Sequence, residues 1–455
     1  MTESDHRAAL ARLVAASGDP LAASRDPLAA GGAGVSAGTG PASASSPPAA
    51  RSGRRPVVGY VCSYVPEEII LAAGCHPLRL GARAGPTGPV DSCLQSFACS
   101  FARGLLDGLL SGQGRGLGGV VFAHTCDSLR AALESWKARK PAGSFTHFLN
   151  LPACVEGPGA AEYTASEFGR LAEALPAVEG ARPVTAQALT EAVESMTVLR
   201  RELSRLDVLR SDRPDLLKGS QLLAIARGAA TLDREEATDL VRGVADGLMG
   251  PATAATGPAG PGAGISGGAD LACASGSAAR PRRPRILVSG GFLETEEPLR
   301  LVEEAGADVV GDDLCLAGRA LAFSGAGRGA GHGAGRERSP AADVPALLSA
   351  LSQAYLSRVP CPTKHPPSRR LEFLLAEVKS RQVDGVIFLL QKFCDPHAFD
   401  YPAFREALEA SGRPCLSLEI ERGGLPAGQA GTRVEAFLER LRFVGPSADG
   451  GGGPP

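Results

Sequence analysis

The sequence predicts an α/β protein built from two parallel-sheet domains with a helical segment between them. Two blocks of the chain alternate short apolar runs with amphipathic stretches, the pattern of strands joined by helices in right-handed crossovers. Between these blocks, apolar residues recur at spacings of three and four, which is typical of a helix with one buried face. A chain of 455 residues is long enough to bury two or three cores of ordinary domain size.

The individual elements follow from local patterns in chain order. In the first block, predicted strands at 57–60 and 119–122 are each followed by a predicted helix, at 66–73 and 127–138. The middle of the chain carries one apolar stripe from Leu189 to Leu206 and a further helix that begins at Asp233. In the second block, strands are predicted at 285–289, 308–310, 385–390 and 415–419, and helices at 296–305, 368–380 and 402–410.

Stretches rich in Gly, Ala, Ser and Pro separate these blocks. They carry too few large apolar side chains to offset the entropy lost on ordering, so we expect disordered tails and surface insertions there. The predicted organisation is a disordered N-terminal tail (1–56), an N-terminal α/β domain with Cys99 and Cys126 (57–165), a helical segment (166–250), a low-complexity linker or insertion (251–284), a C-terminal α/β domain with Cys394 (285–444) that contains a low-complexity insertion (324–341), and a flexible tail (445–455).

Composition excludes several classes of function. The formal net charge is −2, so no overall field favours nucleic acid or a membrane surface as a partner. No run of about 18 apolar residues indicates a membrane span, and the first residues lack the order of a secretory signal, so we expect a cytoplasmic protein. No flavin or nucleotide motif is found. Gly114, Gly116 and Gly119 fit G-x-G-x-x-G, but they follow a helix and precede a strand, the reverse of a dinucleotide site.

Three of the 11 cysteines share one local context. Cys126 and Cys394 each come directly after a predicted buried strand, where ligand sites form in parallel sheets. Cys99 precedes a predicted helix at 101–110. A good N-cap residue follows each of the three, so each thiol is expected at a helix N-terminus, where free N–H groups stabilise a thiolate.

The spacing of these cysteines leaves the metal open. Thiolates bind both zinc and iron–sulfur clusters, and His124 and His397 could complete a zinc site. Among the other cysteines, Cys75 and Cys415 have the contexts of structural residues. Four others follow loop-like segments near the same sheet edges, and each could lie near the site: Cys62, Cys93, Cys315 and Cys361.

Several motifs, in a fixed order, resemble the 2-hydroxyacyl-CoA dehydratase and benzoyl-CoA reductase family. The resemblance runs from about residue 57 to residue 443 and is interrupted mainly at the low-complexity stretches. The motifs that carry it are QSFACSFARG around Cys99, HTCDS around Cys126, KFCDPHAFD around Cys394, PEE at 66–68, GDDLC at 311–315, PCP at 360–362, and GQ at 428–429 followed by TR at 432–433.

This resemblance implies a fold, a cofactor and a reaction. It implies two flavodoxin-like domains and a 4Fe–4S cluster between them, held by Cys99, Cys126 and Cys394 with its fourth iron position open. It also implies a subunit of a 2-hydroxyacyl-CoA dehydratase, a hydro-lyase that removes water from a 2-hydroxyacyl-CoA through a ketyl radical. An ATP-hydrolysing iron–sulfur activator would supply the one electron required, and a homologous second subunit or a second copy of this chain would complete the enzyme.

Two alternatives within this resemblance stay open. One is a subunit of a benzoyl-CoA-reductase-type enzyme that reduces an aromatic acyl-CoA. The other is a non-catalytic partner subunit that relays electrons. For catalysis we expect Ser63, Glu68 and His124 to be candidates, with Ser63 donating a hydrogen bond to the substrate hydroxyl or carbonyl.

Overall fold

A computed structural model of the chain describes residues 3–18, 55–83, 88–253, 282–321, 343–421, 424–425 and 427–443. The predicted insertion 324–341, the tail 445–455 and most of the linker 251–284 lie outside these residues. Within the described ranges, no helix is long and apolar enough to cross a membrane.

The described residues contain two four-stranded sheets, each entirely parallel. The first sheet has the order β2-β1-β3-β4 and the second the order β6-β5-β7-β8. Both sheets therefore repeat one arrangement, the first four strands of the doubly wound flavodoxin-type order, and the prediction of two parallel-sheet domains is confirmed. The strands are β1 (Val57–Val61), β2 (His76–Arg79), β3 (Gly119–Ala123), β4 (Phe145–Leu149), β5 (Arg285–Gly290), β6 (Asp308–Asp313), β7 (Gly385–Gln391) and β8 (Cys415–Ile420).

Helices cover both faces of each sheet and fill the region between the domains. The helices are α1 (Glu3–Gly18), α2 (Glu67–Ala72), α3 (Ser100–Gly108), α4 (Asp127–Lys137), α5 (Ala160–Ala174), α6 (Ala186–Asp212), α7 (Gly219–Ala229), α8 (Arg234–Thr253), α9 (Glu297–Glu304), α10 (Gly318–Leu321), α11 (Val344–Leu356), α12 (Ser368–Ser380), α13 (Asp395–Ala410) and α14 (Ala427–Phe443). The helix predicted to begin at Pro402 begins instead at Asp395 and contains Pro402 in its interior.

The predicted disordered tail at 1–56 is wrong for residues 3–18, which form α1. Ala9, Leu13 and Ala16 lie on one side of this helix and are buried in the core formed by α6, α7 and α8. Their spacing of three and four residues is the pattern of a helix with one buried face. The low-complexity composition begins only at the end of this helix, so the predicted tail was extended too far toward the N-terminus.

The predicted boundaries of the two domains also need correction. Helix α11, assigned by sequence to the C-terminal domain, packs in the core of the first sheet together with α5. The Tyr355 ring of α11 stands edge-on against Phe168 of α5, with 5.5 Å between ring centroids. The predicted helical segment at 166–250 cuts through α5, which begins at Ala160. The chain therefore crosses back to the first domain before it completes the second.

Both sheets present their switch point in the same way. In a doubly wound sheet the ligand crevice opens where the strand order reverses, outside the carboxyl ends of the first and third strands. Here those ends belong to β1 and β3 in the first sheet and to β5 and β7 in the second. Cys62 and Cys126 follow β1 and β3, and Cys394 follows β7. The fold thus places three of the predicted cysteines at two crevices.

Candidate functional site

Three thiols stand at the N-terminal ends of three helices. Cys99, Cys126 and Cys394 are the residues directly before α3, α4 and α13, with non-helical backbone angles. The cysteines themselves thus occupy the N-cap positions. The polar residue after each of them, predicted as the N-cap, is instead the first residue of the helix.

Backbone amides of the first turn act on each sulfur. The amide of the third helical residue stabilises the charged form of each thiol and lowers its pKa; these amides belong to Ala102, Leu129 and His397. In the first turn of a helix such N–H groups have no partner within the helix, and together with the helix dipole they favour a negative charge. The same N–H groups would tune the potential of an iron–sulfur cluster.

A set of hydrogen bonds between the domains brings Cys99 and Cys394 together. Ser100 donates its hydroxyl to Oε1 of Gln391 at 2.6 Å and its backbone N–H to the carbonyl of Lys392 at 3.1 Å. The N–H of Cys99 in turn donates to Oγ of Ser128 at 3.5 Å, close to Cys126. The loop before α3 is therefore fixed to the loops that follow both β3 and β7.

The three thiols differ in pKa. Hydrogen bonding from the Cys394 thiol lowers the pKa of Cys99 to about 7, while the same interaction raises the pKa of Cys394. Burial raises the pKa of Cys126 to about 12. Nδ1 of His397 lies 3.3 Å from Sγ of Cys394. Because thiols must lose their protons to bind a metal, occupation of this site would release protons.

The donor set of this site fits an iron–sulfur cluster. Within the described ranges, no group of three His, Cys, Asp or Glu side chains is placed to hold a single metal ion. Iron–sulfur clusters are held by cysteine thiolates. Three thiols on separate helix starts, with amides directed at the sulfurs, provide that donor set.

Ser63 lies in the loop after β1, on the same sheet edge. Its hydroxyl donates a hydrogen bond to the carbonyl of Cys315 at 2.7 Å, and its own carbonyl accepts one from Arg358 at 2.8 Å. The hydroxyl therefore links the loops after β1 and β6. To reach a substrate it would have to exchange the Cys315 carbonyl for the substrate oxygen.

Glu68 is enclosed by other side chains. Its carboxylate is 0% exposed and accepts hydrogen bonds from Arg200 at 2.6 Å and from the Tyr355 hydroxyl at 2.7 Å. Burial opposes the charged form, but Arg200, Arg358 and the Tyr355 hydroxyl outweigh it and lower the pKa of Glu68. The carboxylate thus joins α2 to α6 and α11, and we interpret Glu68 as a structural residue rather than a catalytic one.

His124 lies between β3 and Cys126 and is partly exposed. Its ring packs against Phe148, with 5.5 Å between centroids. Burial and the nearby Lys364 lower the pKa of His124. The lowered pKa favours the neutral form of the imidazole.

Sequence reasoning missed Glu294 in this region. It follows β5, it is partly buried, and Oε2 accepts a hydrogen bond from Gln391 at 3.5 Å. Oε1 makes no hydrogen bond within the described residues, and burial raises the pKa of Glu294 to about 7. Its position four residues past the end of β5 was the one signal in the sequence.

Large apolar side chains on the surface accompany two of the thiols. Phe97 precedes Cys99 and is 68% exposed, while Phe393 and Phe399 flank Cys394 and are 46% and 82% exposed. An exposed aromatic cluster of this kind is typical of a surface that meets another protein. We call these three residues the phenylalanine rim.

Comparison with known proteins decides the family. Residues 62–441 match the family described as 2-hydroxyglutaryl-CoA dehydratase, D-component. The chain belongs to this family. The resemblance predicted from the cysteine motifs is thereby confirmed.

The relatives of this family member include subunits of two kinds of enzyme. The chain is 24% identical to the (R)-phenyllactyl-CoA dehydratase beta subunit of Clostridium sporogenes, over 84% of this chain and 91% of the relative. It is 23% identical to the beta subunit of (R)-2-hydroxyglutaryl-CoA dehydratase from Acidaminococcus fermentans, over 85% and 93%. It is also 25% identical to one of the benzoyl-CoA reductase subunits of Thauera aromatica, over 80% and 85%.

Proposed function

We propose that this chain is the iron–sulfur subunit of a 2-hydroxyacyl-CoA dehydratase. The reaction removes water from a 2-hydroxyacyl-CoA to give the 2-enoyl-CoA. One electron enters the thioester carbonyl to form a ketyl radical, the 2-hydroxyl group leaves, and the electron is returned after a proton is lost. No net oxidation or reduction of the substrate takes place.

One observation carries this proposal, namely the meeting of three thiols from two domains at helix N-termini. Cys99, Cys126 and Cys394 would hold a 4Fe–4S cluster, which when bound supplies the low-potential electron and an open iron position for the carbonyl oxygen. The chain's own contribution is the positioning of these thiolates by backbone amides and by the Ser100–Gln391 hydrogen bond. Cys99 is buried and the other two cysteines are partly buried, which would limit the access of water to a bound cluster.

Ser63 and His124 are the proposed substrate-contacting residues. Both follow strands that end at the switch point of the first sheet, β1 and β3. The Ser63 hydroxyl would donate to the substrate hydroxyl or carbonyl once it leaves the Cys315 carbonyl, and the neutral His124 ring could accept or donate a hydrogen bond near Cys126. A Ser63→Ala enzyme with normal turnover and full iron content would remove Ser63 from this role.

The proposed partners are a second subunit and an ATP-hydrolysing iron–sulfur activator. The relatives are themselves named as single subunits of larger enzymes, which supports a multisubunit assembly. The phenylalanine rim beside Cys99 and Cys394 is an apolar surface suited to such a contact. We place this assembly in the cytoplasm, where acyl-CoA and ATP are available.

The test is turnover of defined acyl-CoA substrates under anaerobic conditions. The purified chain, its partner subunit and an activator would be supplied with ATP, a reductant and a panel of 2-hydroxyacyl-CoAs. Formation of a 2-enoyl-CoA supports the proposal. Reduction of benzoyl-CoA with no dehydration would instead favour the second candidate, an aromatic acyl-CoA reductase, to which the match with benzoyl-CoA reductase also points. Activity that survives removal of this chain's cluster would indicate an accessory role without electron transfer.

A further inference from the structure

Three further cysteines come together beside the proposed cluster site. Cys62 follows β1, Cys315 follows β6, and Cys361 lies in the loop after α11. The loop after β1 contacts both of the other segments: Ser63 donates to the carbonyl of Cys315 at 2.7 Å, and the N–H of Cys361 donates to the Tyr64 hydroxyl at 3.4 Å. Three distant parts of the chain are thus fixed around one point.

The thiols themselves are close enough to interact. Burial raises the pKa of Cys62 to about 11, and the charges of Cys361 and Cys315 also act to raise it. All three carry free thiols. Cys62 also has a φ of 99°, a left-handed backbone conformation that residues with a side chain adopt only when their surroundings force it. The thiol is therefore held in this place by its neighbours rather than by local preference.

Buried cations surround the same point. Arg79, the last residue of β2, is buried, and its Nε and Nη1 atoms make no hydrogen bond within the described residues. Arg319 is also buried; it pairs with Asp313 at 3.4 Å and donates to Sγ of Cys315 at 3.5 Å, while its Nη1 atom has no hydrogen-bond partner in the same part of the chain. Burial raises the pKa of both Cys62 and Cys315, and the positive charge of Arg79 partly opposes this increase.

An unpartnered guanidinium in the interior is energetically costly unless an anion lies beside it. The guanidinium of Arg79 lies over the faces of two aromatic rings, Tyr60 and Phe292, with 5.6 and 4.9 Å from its carbon to the ring centroids. Cysteines that served only as small apolar side chains would not need cations around them. The three thiols and the guanidinium of Arg79 therefore point to an anionic group that three sulfurs can bind.

We infer that Cys62, Cys315 and Cys361 hold a second iron–sulfur cluster, with Arg79 and Arg319 neutralising part of its negative charge. Iron–sulfur clusters are bound by thiolates, and their potentials depend on net charge and on hydrogen bonds to sulfur, which these two arginines can supply.

The second site adjoins the first. The charges of Cys361 and Cys62 act on Cys126, one of the three proposed ligands of the first cluster. The two aspartates of the GDDLC motif hold the loop that carries Cys315. Asp313 pairs with Arg370 at 2.9 Å, and Asp312 accepts from the N–H of Gly318 at 2.7 Å, which fixes the turn that carries Cys315. The second site does not depend on which acyl-CoA reaction the enzyme performs.

The experiment is iron and sulfide analysis of the chain purified without oxygen. Two 4Fe–4S clusters predict about eight irons per chain, and Cys361→Ser and Cys315→Ser should each lose about half of them. Cys99→Ser should likewise keep about half of the irons, and these are the ones bound at the second site. The control is Cys154→Ser, which removes an exposed thiol and should leave the iron content unchanged.

A measurement on the unsubstituted chain covers the case in which these variants fail to fold. Spin counting by electron paramagnetic resonance after full reduction should give about two spins per chain. About four irons and one spin in the unsubstituted chain, or full iron in folded Cys361→Ser, would overturn the second site. Because iron is counted rather than turnover, failure of the dehydratase proposal would leave this result intact.

Discussion

Substitution of Glu68 separates a structural from a catalytic role for this residue. In Glu68→Ala the carboxylate that joins α2 to α6 and α11 is removed, while Arg200 and Arg358 stay where they are. Glu68 is completely buried, and its two oxygens accept hydrogen bonds from Arg200 at 2.6 Å and from Tyr355 at 2.7 Å. The variant therefore removes the carboxylate that pairs with the partly buried Arg200.

The expected loss follows from these contacts. Removing one partner of a buried ion pair typically costs about 3–5 kcal/mol in the free energy of unfolding. Glu68→Gln keeps the shape and one acceptor oxygen, so its loss should lie near the lower end of that range. For comparison, the exposed pair of Arg213 and Asp215, at 2.8 Å, should contribute little to the free energy of unfolding, because water and salt screen it. Asp215→Asn is therefore the matched control.

The assay is urea unfolding followed by far-ultraviolet circular dichroism, with turnover measured on the same samples at low temperature. We expect both Glu68 variants to unfold at lower urea concentration than Asp215→Asn, and the fraction that remains folded to keep its turnover. If Glu68→Gln were as stable as the unsubstituted chain but had lost its turnover, the structural interpretation would be refuted and Glu68 would belong to the catalytic machinery.

Three further predictions concern the contact between the domains, acid stability and the N-terminal helix. Ser100→Ala leaves the buried Oε1 of Gln391 without its 2.6 Å donor, so the free energy of unfolding should fall by about 1–3 kcal/mol and iron should be released faster to a chelator, as measured by absorbance. Although burial opposes the charged form of Asp207, two buried arginines lower its pKa to about 2. The charged carboxylate therefore stabilises the fold fully above pH ~4, and this contribution is lost as the pH falls toward 2. Asp207→Asn should show a flatter dependence of stability on pH over that interval. A Cβ atom on Gly228 would lie 2.0 Å from a carbonyl of α1, whereas one on Gly428 would meet nothing within 4 Å. Gly228→Ala should therefore expose α1 to limited proteolysis and Gly428→Ala should not; equal cleavage in both would mean that α1 does not pack there.

The sequence predicted the central strands of both sheets because they are continuous apolar runs. β1, β3, β5 and β7 are buried on both faces, and all four were found within two residues of their ends. The missed strands β2 and β4 are edge strands of the first sheet. β2 reads His-Pro-Leu-Arg, and its polar residues and proline are tolerated because an edge strand pairs on only one side. Such a segment lacks the apolar run by which a strand is recognised.

Local patterns also placed the three cysteines at helix starts, since strand ends and helix starts are short-range features. What they could not show is which distant segments meet. The bond from Ser100 to Gln391 joins residues 291 positions apart, and the link from Ser63 to Cys315 joins residues 252 positions apart. Cys361 reaches the site because α11 packs on the first domain, a crossing that no periodicity in the sequence indicates.

The iron content of a Cys394→Ser variant tests most directly the central claim that this chain holds an iron–sulfur cluster. Cys394→Ser would be compared with Cys415→Ser. Cys415 is the first residue of β8, whereas Cys394 follows the end of β7, so the two thiols belong to opposite ends of the strands. Both proteins would be purified without oxygen and analysed for iron, sulfide and zinc. A 4Fe–4S cluster on Cys99, Cys126 and Cys394 predicts that Cys394→Ser contains about four fewer irons and sulfides per chain than Cys415→Ser. Equal iron in the two variants, or zinc lost in place of iron, would contradict it.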